Sequence, residues 1–212
     1  MSTAPDLRSR KRLATRQSIS NAATRLFLKR GFDQVTVDDI AAAADVGRMT
    51  VFNHFARKED MFLDRYGEVR GLLRKALLQR DPGTTPIEAY RLLAHRLAAE
   101  PAPFVEFSSA SKNFINVIEN SETLKARVRA MRDELARVVA AALAESAGRE
   151  AEDTDARLAA NLLLATWSVA LIRAHGLFRK NRNAEEARAA FLVVVDQGSI
   201  GVTAAMAGTP YA

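Results

Sequence analysis

Apolar residues between positions 19 and 55 recur at helical spacing and are interrupted by turn chemistry twice, at Gly31 and at 45–47. Ile19, Ala22, Ala23, Leu26 and Phe27 fall at i, i+3, i+4, i+7 and i+8, which predicts one buried face of a helix from about Lys11 to Lys29. Arg16, Arg25, Lys29 and Arg30 lie off that face, and Gly31 stands where a helix terminator is expected. Thr36 then has the chemistry of an N-cap, with Asp38 and Asp39 in the first turn, where the helix dipole favours negative charge. Val37, Ile40, Ala41 and Ala44 continue the helical spacing until Asp45-Val46-Gly47 breaks it. Gly47 is expected either to take backbone angles closed to other residues or to cap the next helix. That second short helix begins at Arg48 and buries Val51 and Phe55, leaving Arg48, Met49, Thr50, Asn53, His54 and Arg57 on its other faces.

Helical patterning continues to the end of the chain. A helix from about Arg57 to Arg80 carries Phe62, Tyr66, Val69, Leu72, Leu73, Ala76 and Leu77, and its length of about 35 Å could link two domains. Asp81-Pro82-Gly83-Thr84 breaks it, and Thr85-Pro86-Ile87-Glu88 is a capping box for a helix ending near Ala99. Pro101 and Pro103 delimit the start of another, which reaches about Asn120, and Ser121 opens a long helix to about Gly148. After an acidic loop, Glu150 to Asp153, helices are expected over about Thr154–Arg179 and from Asn183 to about Met206. The β-branched run Val193–Val195 sits inside the last helix. The expected fold is all-α, about nine helices, with a flexible basic arm over 1–12, a helix-turn-helix domain over 13–58 and a helical domain over 59–212.

A chain of 212 residues can bury a substantial core, about 70% of its unfolded surface. It has no cysteine, hence no disulfide framework, thiolate metal site or cysteine nucleophile, and this fits a reducing cytoplasm. The three histidines show no metal-ligand spacing, and no glycine-rich phosphate loop or nucleophile elbow occurs, so neither an enzyme nor a cofactor is expected. No signal peptide is evident, and the longest apolar run, Leu162 to Ile172, interrupted only by Thr166 and Ser168, is 11 residues where a membrane span needs about 20.

Charge is divided unevenly. Residues 1–80 hold 16 Lys/Arg against 9 Asp/Glu, a net +7, while residues 81–212 hold 15 against 16, a net −1. The basic excess, including the cluster Arg8, Arg10, Lys11 and Arg12, therefore surrounds the two short helices, as suits a polyanion. A short helix locked down on one side and showing arginine, asparagine and threonine on the other has the outline of a DNA-recognition helix.

The full pattern is more specific than that outline. Arg16-x-x-Ile19-x-x-Ala22-Ala23-x-x-Leu26-Phe27-x-x-x-Gly31-Phe32-x-x-x-Thr36-Val37-x-x-Ile40-Ala41-x-x-Ala44-x-Val46-Gly47-x-x-Thr50-Val51-Phe52-x-His54-Phe55-x-x-Lys58-Glu59 resembles the N-terminal domain of TetR-family transcriptional regulators. The resemblance covers residues 16–59 and implies a role for each matched position. Thr36 would hydrogen-bond a phosphate; Arg48, Met49 and Asn53 would face base edges or nearby backbone; Thr50 would contact phosphate or cap the recognition helix; His54 and Lys58 would hold phosphates on either side of the groove. The side-chain chemistry agrees: arginine pairs bidentately with guanine, asparagine with adenine, and methionine can touch a thymine methyl. Phe52 stands where the family often has a phosphate-binding tyrosine; without the hydroxyl it is expected to pack in the core.

In the C-terminal half the resemblance implies an effector pocket and a dimer interface. Aromatic residues Phe104, Phe107, Phe114, Trp167 and Phe178 are candidate pocket walls, with plain core packing as the alternative. The two last helices are apolar nearly all round, so they must be covered on both sides. Leu163, Trp167, Leu171, Phe191, Val194 and Val195 are the candidates for pairing with a second copy, with a deep monomer core as the alternative. The expected partners are double-stranded DNA with a near-palindromic operator, an unknown small-molecule effector and a second copy of the chain, with no membrane. The expected function is a repressor that its effector releases by tilting the helix over 57–80. An activator and a non-specific DNA binder are the alternatives.

Overall fold

The computed structural model describes residues 6–100 and 104–212. These form ten α-helices and no strand: α1 Leu7–Arg30, α2 Val37–Ala43, α3 Arg48–His54, α4 Lys58–Phe62, α5 Tyr66–Leu78, α6 Pro86–Ala99, α7 Ser109–Glu119, α8 Glu122–Ser146, α9 Thr154–Asn181 and α10 Ala184–Ala205. Pro101 and Pro103 lie outside the described residues.

Two expectations about boundaries change. Asp6 caps α1, its carboxylate accepting the Ser9 N–H at 2.7 Å, so Arg8, Arg10, Lys11 and Arg12 belong to the first turns of a helix rather than to an irregular arm. The single helix expected over 57–80 is two, because Leu63–Arg65 leave helical geometry between α4 and α5. That break raises the number of helices from about nine to ten.

The chain forms two compact units. The first comprises Met1–Arg65 and Asn113–Arg127, the second Tyr66–Lys112 and Val128–Ala212. In the first, Ile19, Ala23 and Phe27 from α1, Ile40 from α2, Val51 and Phe55 from α3, and Met61 and Phe62 from α4 bury a common core. Leu124 of α8 enters the same core, and Phe114 of α7 stacks on Phe62 at 4.2 Å between ring centroids. Gly31 closes α1 with its N–H donating to the Phe27 carbonyl at 2.9 Å; its φ of 82° and ψ of 156° lie in a region essentially confined to glycine.

The second unit packs α5, α6, α8, α9 and α10. Thr85 caps α6, accepting from the Glu88 N–H, with Pro86 at the first helical position, but only half of the expected capping box forms, because both Glu88 carboxylate oxygens accept from Arg91. Tyr66 donates its hydroxyl to the Met131 carbonyl, tying α5 to α8. Asp196 on α10 accepts from Arg91 at 3.1 Å and shares a 2.7 Å hydrogen bond with His95, which joins α10 to α6. Helices α9 and α10 cross closely: a Cβ added at Gly198 would meet the Thr166 side chain at 2.2 Å. Among the described residues α9 alone is long and apolar enough to cross a membrane, and a third of that apolar window is buried inside the chain.

Candidate nucleic-acid interface

Thr36 starts α2 with a complete capping box. Its hydroxyl oxygen accepts the Asp39 N–H at 3.1 Å, and Asp39 Oδ2 accepts the Thr36 N–H at 2.8 Å. The hydroxyl proton also goes to Asp39 Oδ2, at 2.8 Å. These bonds, with Arg30 beside the carboxylate, hold the Asp39 carboxyl down at about 2.

The turn between α2 and α3 is a Schellman motif. The Val46 N–H donates to the Ala41 carbonyl at 3.0 Å and the Asp45 N–H to the Ala42 carbonyl at 3.3 Å. Asp45, not Gly47, takes the left-handed conformation, with φ at 54°. Gly47 instead caps α3 at an ordinary φ of −71°. The sequence offers both residues at the break. The hydrogen-bond geometry puts the left-handed position at 45, where an aspartate tolerates it better than most residues.

Helix α3 is held from behind. Val51 is fully buried and Phe55 nearly so. Arg16 of α1 donates to the carbonyl of His54, the last helical residue, and lies 4.0 Å above the Phe55 ring. The same guanidinium pairs with Asp64 at 2.6 Å. Arg16 thus binds the C-terminal end of α3, where a cation is favoured by both the free carbonyls and the dipole. Sequence spacing marks it only as a residue off the apolar stripe; its role depends on a contact 38 residues away.

The outward residues of α3 are Arg48, Met49 and Asn53, with Met49 70% exposed, and Thr50 and His54 half-buried. Arg48 pairs with Asp38 at 2.7 Å. Phe52, expected in the core, is 40% exposed and carries the Arg48 guanidinium 5.6 Å above its ring. The reason is angular: on so short a helix Val51 and Phe55 use the whole buried face, and residue 52 is rotated about 100° from 51. Burial, together with the charges of Arg12 and Arg16, holds the His54 imidazole below its ordinary pKa.

Lys58 departs from its expected use. Its ammonium donates to the carbonyls of Phe32 at 3.0 Å and Val35 at 2.9 Å, and lies 4.1 Å from the Phe32 ring centroid. Two of its three donors are therefore spent on the loop that leads into α2.

The aromatic candidates do not form one pocket. Phe107, Phe178 and Trp167 pack into an apolar cluster with Phe191 and Val195. Trp167 meets Phe191 edge-on at 5.9 Å and Phe107 meets His175 at 5.0 Å. Phe114 belongs to the other unit, on Phe62, and Phe104 sits half-buried in the turn before α7. A small void of about 10 Å³ lies elsewhere in the second unit, lined by Leu73, Tyr90, Val139, Leu163, Leu164 and Trp167. Tyr90 is buried there and its hydroxyl has no hydrogen-bond partner among the described residues. Burial pushes its phenol well above the ordinary tyrosine range. No local sequence signal marks Tyr90 as a buried hydroxyl left unpaired.

The interface candidates also need correction. Leu163, Phe191 and Val195 are buried within the chain, and Trp167, Leu171 and Val194 pack partly against the same clusters. The apolar surface of the last two helices is carried by other residues: Leu158, Val169 and Ile172 on α9, Val193 and Ile200 on α10, the two isoleucines each more than 70% exposed. An all-apolar helix indicates that every face is covered without saying which face the chain itself covers.

Residues 19–64 match the family model described as bacterial regulatory proteins, tetR family. Over 85 residues the chain is 38% identical to the HTH-type transcriptional regulator TcmR of Streptomyces glaucescens, a match covering 40% of this chain and 38% of that protein. It is 38% identical over 65 residues to the HTH-type transcriptional repressor BepR of Brucella suis, covering 31% of each. The chain thus spans under half the length of these curated relatives. Among solved structures, the SmeT–triclosan complex aligns with a TM-score of 0.57 at 19% identity, over 89% of this chain and 91% of that one, a likeness of fold. Residues 19–64 thus carry the DNA-binding domain of the tetR family of bacterial regulatory proteins, within an all-helical fold shared with that solved structure.

Proposed function

We propose that the protein is a homodimeric, sequence-specific DNA-binding repressor released by a small, largely apolar effector, and that it acts by binding, without catalysis. The observation that carries this is the outward set Arg48, Met49 and Asn53 on a helix fixed from behind by Val51, Phe55 and Arg16. Those three side chains read base edges of a near-palindromic operator, Thr50 and His54 hold phosphates, and Thr36 reaches one only by turning its hydroxyl proton away from Asp39. Lys58 serves the interface indirectly, by fixing the loop before Thr36. The DNA-binding domain is residues 13–58 and the effector-binding and dimerisation domain is 59–212, with 113–127 packing in the compact unit of the former.

The second copy docks on the exposed apolar face of α9 and α10. Leu158, Val169 and Ile172 follow one another at helical spacing, as do Val193 and Ile200. A patch of this kind marks an interaction surface, and two-fold pairing supplies two recognition helices about 34 Å apart. The effector enters at the apolar void beside Tyr90, whose buried hydroxyl has no partner among the described residues and becomes available as the void opens. The void there has room for about one water, so binding must open it and thereby favour a different arrangement of the helices. An operator-binding role places the protein in the cytoplasm.

The test uses purified protein and a duplex of the DNA upstream of its own gene, read by fluorescence anisotropy across a salt series. The expected result is tighter binding than to a scrambled duplex, weakening linearly in a log–log salt plot. Equal binding to both duplexes, or a flat salt response, overturns the proposal. The dimer is tested by sedimentation: wild type should run as a dimer and the Ile172→Glu/Ile200→Glu double variant as a folded monomer.

A further inference from the structure

A second cavity lies apart from the void at Tyr90. It is a groove of about 480 Å³ within the first compact unit, where the C-terminal end of α1 and the loop after it face α7. That volume is in the range of small-molecule sites, about 300–1,000 Å³. Neither the operator reading nor the effector reading uses it.

Its walls have a distinct chemistry. Asn113 and Asn116, three residues apart on α7, present their amides on one face, and Gln34 presents a third from the loop. None of the three side-chain amides has a hydrogen-bond partner in the chain among the described residues; Asn113 and Gln34 are exposed and Asn116 is half-buried, so a ligand here replaces water on them. The Asn120 amide, by contrast, is spent on the Asn116 carbonyl at 2.8 Å. Asp33 is fixed by the Ser121 hydroxyl, which donates to its Oδ1 at 3.0 Å and leaves the other carboxylate oxygen open. Phe32 and Val117 supply apolar surface. No lysine or arginine lines the groove.

We infer that this groove binds a neutral polyhydroxylated small molecule of about monosaccharide size. Each free amide offers a donor pair beside an acceptor, which is the complement of a vicinal diol. The open oxygen of Asp33 accepts one further hydroxyl, and the apolar residues take the C–H face of the ring. An anionic ligand is disfavoured, because Asp33 is the carboxylate of the groove and the nearby Lys58 ammonium is already engaged with the Phe32 and Val35 carbonyls.

The test is a set of ¹H–¹⁵N spectra of the ¹⁵N-labelled full chain titrated with D-glucose, D-ribose and myo-inositol, with no DNA present. At least one of the three should shift the side-chain NH₂ signals of Asn113, Asn116 and Gln34 saturably, with an affinity in the millimolar range. Asn116→Leu, which keeps the backbone carbonyl that Asn120 uses, should abolish the saturation while leaving the rest of the spectrum dispersed. Failure of all three probes to give saturable shifts of those signals, or saturable shifts that persist in Asn116→Leu, overturns the inference.

Discussion

Arg48 Nη1 lies 2.7 Å from Asp38 Oδ2, so the first residue of the recognition helix is tied to the first turn of the helix before it. Both side chains are more than half exposed, which makes the pair weak, about 0–1 kcal/mol. Arg48 must leave Asp38 to pair with a base. Asp38→Asn should therefore tighten operator binding up to about fivefold, both by freeing the guanidinium and by removing a negative charge near the phosphates. Anisotropy titration of the two proteins on one duplex measures it; unchanged or weaker binding in Asp38→Asn would show that Arg48 does not make that exchange.

Lys58 is a structural cation. Its two charge-assisted hydrogen bonds to the Phe32 and Val35 carbonyls are lost in Lys58→Ala. The expected cost is about 2–3 kcal/mol in urea unfolding, allowing for the lost bonds and partly desolvated carbonyls. The slope of the salt dependence of DNA binding should stay as in wild type. A fall of about one in that slope, with stability unchanged, would restore Lys58 to the phosphate contacts.

His54 gives a pH dependence whose sign is set by its surroundings. Burial first, then Arg12 and Arg16, lower its folded pKa below the ordinary 6.5. In the unfolded chain the imidazole takes up its proton more readily, so the unfolded state binds more protons and stability declines as pH falls through about 6.5. Above that range the contribution is constant. Urea midpoints at about pH 7.5 and about pH 5.5 should differ less in His54→Gln than in wild type. An equal or larger difference in the variant would contradict the assignment.

Tyr90 keeps a buried hydroxyl without a partner. Tyr90→Phe removes that group at little change of shape and should raise stability by about 1–3 kcal/mol. The same variant should respond less to any effector that releases the wild-type protein from DNA. Thermal unfolding checks the first effect, and effector titration of the protein–DNA complex checks the second. A destabilised variant would mean that the hydroxyl is satisfied in solution.

Local chemistry made the helix-turn-helix legible in the sequence. The Thr36 cap, Gly31 and the apolar spacing from Ile19 to Phe27 each rest on interactions within a few residues, and the structure contains all three. Where two neighbours could serve one purpose, as Asp45 and Gly47 could at the turn, spacing could not choose between them; hydrogen bonds to the Ala41 and Ala42 carbonyls decide it. The helices over α9 and α10 were legible as apolar throughout, but not which side the chain covers itself. That depends on Ala94, Ala98 and Phe107, which take up the faces of Phe191 and Val195. The docking of Phe114 on Phe62 and of Arg16 on His54 had no signature in local periodicity, since each joins residues far apart in the chain.

The central claim, that α3 reads base sequence, is tested most directly by a single-base-pair scan of the operator with wild type and Arg48→Ala. The wild type should discriminate at the base pair that Arg48 meets by about 1–3 kcal/mol in each half-site, and Arg48→Ala should lose that discrimination while keeping it at other positions. Identical scans for the two proteins, or a uniform loss at every position, would contradict it.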